Sequence, residues 1–207
     1  MRDQTIERWL EALASGAPAP GGGATAGLSA AAGAALIEMV CNLTIGRPRY
    51  ARHEAIMREA LAQATGLRGQ ALGLAADDAT AFGAVTAAYK LPKDTGEQAR
   101  ARTERIQRAM LEATRVPLRT AAVAGDVIRL AGRIAEGANV TALADLAAAA
   151  VSARAAVEVV RLNVEANLVA IADPAQRKAF ADRMTDLSAL VGEAERIVAD
   201  IRTRIQG

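Results

Sequence analysis

Residues 25–43 read TAGLSAAAGAALIEMVCNL, a run in which Glu38 is the only charged side chain. It is several times longer than a typical strand and shows no period-two alternation, so it predicts a helix. A helix that is apolar on nearly every face belongs in the interior of a larger assembly, and its alanines and glycines allow neighbours to approach closely. The fold follows outward from this segment.

Upstream, Ile6, Trp9, Leu10 and Leu13 form an i, i+3, i+4, i+7 stripe, with Glu7, Arg8 and Glu11 facing water. This predicts a first amphipathic helix ended by Ser15 and Gly16. Downstream, after a break at Gly46 to Pro48, a helical pattern runs from about Tyr50 to Tyr89. Gly66, Gly69 and Gly73 fall on one face of it, where either another helix approaches closely or the glycines simply give the helix some flexibility. LPKDTG, residues 91–96, connects to the next helix, which is expected to break at Pro117 and resume from Leu118 to Ile134. A loop, EGANVT, leads into an Ala-rich helix over about 141–168. Asp173-Pro174 supplies an N-cap and a first-turn proline for a last amphipathic helix. The expectation is an all-α bundle, one domain over residues 1–207.

The composition of the 207 residues limits the function. Charged residues make up 23% and leave a net charge of only +2, without the dense basic cluster or aromatic platform that nucleic-acid binding needs. Cys41 is the only cysteine, which fits a reducing, cytoplasmic setting. The amino-terminal segment lacks the apolar core of a signal peptide, and the apolar runs are interrupted by Glu38 and Asn42, so no membrane span is expected. One histidine, His53, offers no metal-ligand spacing, and no metal or separate cofactor is expected. Long helices with 2% aromatic residues suggest that a homodimer buries what one chain cannot.

APAPGGG, residues 17–23, raises the question of chemistry. Three glycines before a helix can lay backbone N–H groups against a ligand, or simply form a tight turn. A dinucleotide fingerprint needs a strand ahead of the glycines, and a phosphate loop needs Gly-Lys-Ser or Gly-Lys-Thr after them; neither is present. Asp77 and Asp78 sit in an apolar stretch, LGLAADDATAF, where burial would raise a carboxyl pKa towards neutrality. On a helix the two point about 100° apart, so only one can face a given cleft squarely.

PAPGGGATAGLSAAAGAALIEMVCNLTIGRPRY, residues 18–50, resembles the opening of the cyclodeaminase/cyclohydrolase family of folate enzymes. ADDATAF (76–82), AYKLPKDT (88–95), VPL (116–118), GANVTALADLAAAA (137–150) and LNVEANL (162–168) follow in the family's order, so the resemblance spans nearly the whole chain. It implies an all-helical, usually dimeric enzyme acting on one-carbon derivatives of tetrahydrofolate, with the glycine turn in the folate site. The family holds cyclodeaminases, which release ammonia from 5-formimino-tetrahydrofolate, and cyclohydrolases, which open 5,10-methenyl-tetrahydrofolate to the 10-formyl form. The deaminase pattern commonly carries an acid two positions before the residue matching Asp78; here Ala76 stands there, as in stand-alone cyclohydrolases.

On that resemblance the expected catalytic residues are Asp78 for proton transfer, Asp77 as an electrostatic assistant or a solvated acid, and Lys90 as a relay or a contact to the folate glutamate. Expected substrate contacts are Gly21, Gly22, Gly23, Asn42, Arg47, Lys93, Asn139, Asn163 and Asn167. Asn163 and Asn167 lie at i and i+4 on one helical face and offer the paired donors and acceptors that a pterin edge requires. A folate-binding helical module without turnover is the remaining alternative.

Overall fold

The computed structural model describes residues 4–206, which form six α-helices and no strand. They span Ile6–Ala14 (α1), Gly22–Thr44 (α2), Glu54–Tyr89 (α3), Gly96–Ile134 (α4), Leu143–Leu168 (α5) and Pro174–Gln206 (α6). Short 3-10 turns at Pro48–His53 and Val140–Ala142 lead into α3 and α5.

The apolar run is α2, and it packs against α3, α4 and α5. Ala26, Ala30, Ala34, Ile37, Val40 and Cys41 are completely buried. Two glycines set how near its neighbours come. A Cβ on Gly27 would lie 2.9 Å from the Ala71 carbonyl oxygen of α3, and one on Gly33 would lie 2.8 Å from the Ala149 carbonyl oxygen of α5. Backbone therefore meets backbone on two sides of α2. Burial, together with the nearby Glu38 charge, pushes the Cys41 thiol up to about 11, so it behaves as a small core residue.

Two segments, Gly22–Thr44 and Val140–Leu168, are long and apolar enough to cross a bilayer, each with mean hydropathy 1.5. In this fold both belong to the bundle core, with Ala30, Ala34 and Ile37 of α2 and Ala149, Ala153 and Val157 of α5 completely buried.

Three boundaries differ from the sequence reading. First, α2 starts at Gly22 rather than Thr25, with Gly21 extended as its N-cap and the Thr25 N–H bonded to the Gly21 carbonyl at 3.1 Å. Second, Pro117 does not divide α4, which continues through it for 39 residues. A proline leaves the carbonyl four residues earlier without its helical donor; here that carbonyl belongs to Ala113 and accepts from Asn167 Nδ2 at 2.9 Å. The helix survives because α5 supplies the missing donor.

Third, no described helix lies closely over Gly66, Gly69 and Gly73: a Cβ on any of them would meet no atom within 4 Å among the described residues. They belong to a longer outward stripe of small residues on α3, with Ala62, Ala76, Thr80, Gly83 and Ala87 continuing the same four-three spacing. On α6 the same spacing is used inwards: Phe180, Leu187, Ala194 and Ile201 are buried, with Met184, Val191 and Val198 between them. Asp173 starts α6 as expected, accepting from the Ala175 N–H at 2.8 Å ahead of Pro174.

The α4–α5 loop is fixed to the end of α2 by Asn139. Its backbone N–H donates to Thr44 Oγ1 at 3.0 Å and its Nδ2 donates to the Leu43 carbonyl at 3.0 Å. Its Oδ1 accepts from the Tyr50 hydroxyl at 3.2 Å and from both the N–H and hydroxyl of Thr141. Replacing Asn139 with Ala removes one of two donors to the Leu43 carbonyl, which keeps Arg47 Nε, and the acceptor of the Tyr50 hydroxyl, which keeps the Val140 N–H, and is expected to cost about 1–2 kcal/mol of stability in a denaturant titration.

Candidate active site

α2 begins with no side-chain cap and no acid in its first turn, so its free N–H groups need a partner from elsewhere. Asp78 on α3 is that partner. Its carboxylate accepts from the Ala24 N–H, placing a negative charge at the positive end of α2. The contact requires the glycine turn: a Cβ on Gly23 would overlap Asp78 Oδ1 and Cγ and stand 2.6 Å from Oδ2. Gly23 is therefore a cradle for a carboxylate.

Burial raises the Asp78 pKa, opposed by the Ala24 hydrogen bond, and the net shift is upward. Such a carboxylate holds protons more readily than a solvated one, as a proton-exchanging group requires. Asp77, one residue earlier, points away: its side chain is 55% exposed and lies 4.0 Å from Arg119 on α4. The adjacent acids thus separate into one cavity residue and one surface ion pair.

Asp78 borders a cavity of about 250 Å³ between the glycine turn, α3, α4 and α5. Gly21, Gly22 and Gly23 form one wall, Asn163 and Asn167 another, and Phe82 a third. Asp78 is the only ionisable side chain among the lining residues. Asn163 lies against Gly22, where a Cβ would be 3.4 Å from its Oδ1, and its amide has no partner among the described residues. Asn167 uses its Nδ2 on Ala113, and its Oδ1 has no protein donor among the described residues.

The remaining expected residues are not brought to this cavity within the chain. Lys90 is the C-cap of the same straight helix that carries Asp78, twelve residues on, or about 18 Å along the axis, and is exposed; Lys93 follows it in the exposed connection. The proline turn leads the chain into α4 without carrying either lysine back. Asn42 and Arg47 lie at the opposite end of α2 from the glycines, about 30 Å away by helical rise. Asn42 is exposed, and Arg47 Nε donates to the Leu43 carbonyl at 2.8 Å. Asn139 shares that end, and its side-chain donor and acceptor are both engaged in holding the loop.

Half of the lining residues, Pro18, Ala19, Phe82, Ala113, Pro117 and Ala166, were not singled out as site residues by their sequence. Phe82 is one turn after Asp78 on the same face of α3 and is 44% exposed, so the i, i+4 spacing was the available signal. Pro117 reads as a helix break and is instead part of the wall.

Comparison with known proteins identifies the family and the fold. Residues 5–186 match the formiminotransferase-cyclodeaminase family. The chain is 43% identical to the methenyltetrahydrofolate cyclohydrolase of Methylorubrum extorquens, over 98% of each protein. It is 31% identical to the formimidoyltransferase-cyclodeaminase of Rattus norvegicus over 89% of its own length, spanning 34% of that longer protein. The formiminotetrahydrofolate cyclodeaminase of Thermotoga maritima has the same fold, with a TM-score of 0.85 at 27% identity, over 97% of this chain and 96% of that one. With agreement along nearly its whole length in both sequence and helical framework, the chain belongs to the formiminotransferase-cyclodeaminase family.

Proposed function

We propose that the chain hydrolyses 5,10-methenyl-tetrahydrofolate to 10-formyl-tetrahydrofolate at the Asp78 cavity. The observation that carries this reading is the single carboxylate in a small, otherwise uncharged cavity. The methenyl carbon is part of a cationic amidinium, so a lone anion both attracts the substrate and serves as a base. Water attacks that carbon while Asp78 removes one of its protons, giving a neutral carbinolamine and a protonated Asp78. The acid then returns this proton to N5 as the carbon–N5 bond breaks. The hydroxyl proton leaves to solvent as the formyl carbonyl forms on N10. The sum is substrate cation plus water giving product plus one proton, with Asp78 restored as the carboxylate.

Asn163 and Asn167 suit the pterin edge, and Phe82 supplies an apolar wall for a ring. The deaminase pattern carries an acid where this chain has Ala76, a residue on the outward face of α3 rather than in the Asp78 cavity, so Ala76 favours the cyclohydrolase as a sequence signature and not as a cavity group. The relative from Methylorubrum extorquens supports the same choice. The test is to follow the loss of methenyl-tetrahydrofolate with purified protein, alongside an ammonia assay on 5-formimino-tetrahydrofolate. Fast methenyl loss without ammonia supports the reading; ammonia release favours the deaminase, and silence in both favours a binding module.

A homodimer through α3 belongs to the same proposal. The accessible surface is 10909 Å², against about 9,100 Å² for a compact monomer of this mass. The small-residue stripe on α3 offers a face on which a second copy could pack at short interaxial distance. Sedimentation at twice the 21.4 kDa of one chain is expected. Gly73→Leu, which fills the stripe without touching the chain's own core, is expected to return the protein to 21.4 kDa; a dimer unaffected by it would place the interface elsewhere.

A further inference from the structure

Pro117 is the only residue within α4 that cannot donate a backbone hydrogen bond. In a regular helix the amide at position 117 would serve the Ala113 carbonyl. Asn167 serves it instead, and it can do so only through Nδ2, because a carbonyl accepts and never donates. The vacancy in α4 therefore fixes which end of the Asn167 amide faces α4. Its Oδ1 is left without a protein donor among the described residues, beside the cavity that Pro117, Ala113 and Asn167 all line.

We infer that Pro117 is a positioning residue: by withholding its own backbone donor it locks the Asn167 amide so that Oδ1 is presented as an acceptor to an N–H of the bound ring. This rests on the folate reading, since the pterin edge carries the amino and ring N–H donors that such an acceptor would take. With alanine in place of the proline, a new N–H reaches the Ala113 carbonyl, and the Asn167 amide is released to present either end. The helix itself gains a hydrogen bond and a better helix former.

The test is a cycle of Pro117→Ala, Asn167→Ala and the double variant, read by steady-state kinetics on 5,10-methenyl-tetrahydrofolate and by thermal melting. Pro117→Ala is expected to raise KM roughly three- to tenfold, the worth of one neutral hydrogen bond, with kcat changed far less. That KM effect is expected to vanish in the Asn167→Ala background. Asn167→Ala alone is expected to lower Tm by stranding the Ala113 carbonyl, and to lower it much less in the Pro117→Ala background, where the new backbone N–H supplies the donor. A KM effect of Pro117→Ala that persists without Asn167 would show that the proline ring acts by shape alone, and overturn the proposal. An equal Tm loss in both backgrounds would overturn it as well. Absence of wild-type turnover would instead sink the folate reading and the pterin assignment with it, while the Tm coupling would separately decide whether Pro117 and Asn167 act as a unit.

Discussion

Asp78→Asn is expected to reduce turnover of methenyl-tetrahydrofolate by about 10²–10⁴-fold, the usual contribution of a positioned general base, while leaving the fold intact. The amide retains an oxygen that can accept from the Ala24 N–H, so the start of α2 keeps its partner. What it loses is the ability to take a proton from water. Stability should move the other way. The folded pKa of Asp78 lies above its ordinary value, so the native state holds this proton more tightly than the unfolded chain does. The charged form therefore costs stability as pH rises through the raised pKa. Asp78→Asn removes it, and the variant is expected to melt at or above the wild-type temperature at pH 7. An inactive variant that also melted early would be reporting damage rather than chemistry.

Gly23→Ala is the second large effect. The added methyl would overlap Oδ1 and Cγ of Asp78 and lie 2.6 Å from Oδ2, so every atom of the carboxylate collides with it. Either Asp78 leaves its position or α2 separates from α3, where Gly27 already meets the Ala71 carbonyl. Displacement of a reacting group by about 1 Å can cost about 10²-fold, and a loss of about that size is expected, together with about 1–3 kcal/mol of stability. Gly16→Ala provides the control, because a Cβ there meets nothing within 4 Å. Kinetics and melting of the two alanine variants, measured side by side, separate the cradle from a general intolerance of methyl groups near the turn. Equal activities would remove Gly23 from the account.

The helices were legible because their signals are periodic and local. The stripe of Ile6, Trp9, Leu10 and Leu13, the apolar run of α2 and the Asp173-Pro174 start of α6 each state their structure within a few residues. Continuity of α4 through Pro117 was not legible, because the donor that rescues Ala113 comes from Asn167, fifty-four positions from the carbonyl it serves. A Cβ on the glycines of α3 would meet no close neighbour among the described residues of their own chain; spacing shows that a face is free of side chains but not what lies upon it.

At the site, Asp78 and Asn163 could be linked to the glycine turn through resemblance to a family, and the structure places them against Gly23 and Gly22. The division of labour between Asp77 and Asp78 follows from the roughly 100° between adjacent helical residues, but which of them faces the cavity depends on where α2 lies. Asn139 looked like a ligand because its side chain carries both a donor and an acceptor; the loop uses both. Lys90 and Lys93 could reach Asp78 within the chain only if the turn at Pro92 carried them back, and α3 stays helical to Tyr89 with both lysines exposed beyond it.

In the proposed reaction one carboxylate, kept proton-hungry by burial, carries the proton transfer. The pH dependence of kcat/KM for methenyl-tetrahydrofolate, corrected for uncatalysed hydrolysis, tests it most directly. The expected profile falls on the acid side with an apparent pKa raised above the ordinary Asp value, because below that point Asp78 is protonated and cannot act as a base. The residual rate of Asp78→Asn should lack that limb. An acid limb that survives unchanged in Asp78→Asn would contradict the account and assign the proton transfer to another group.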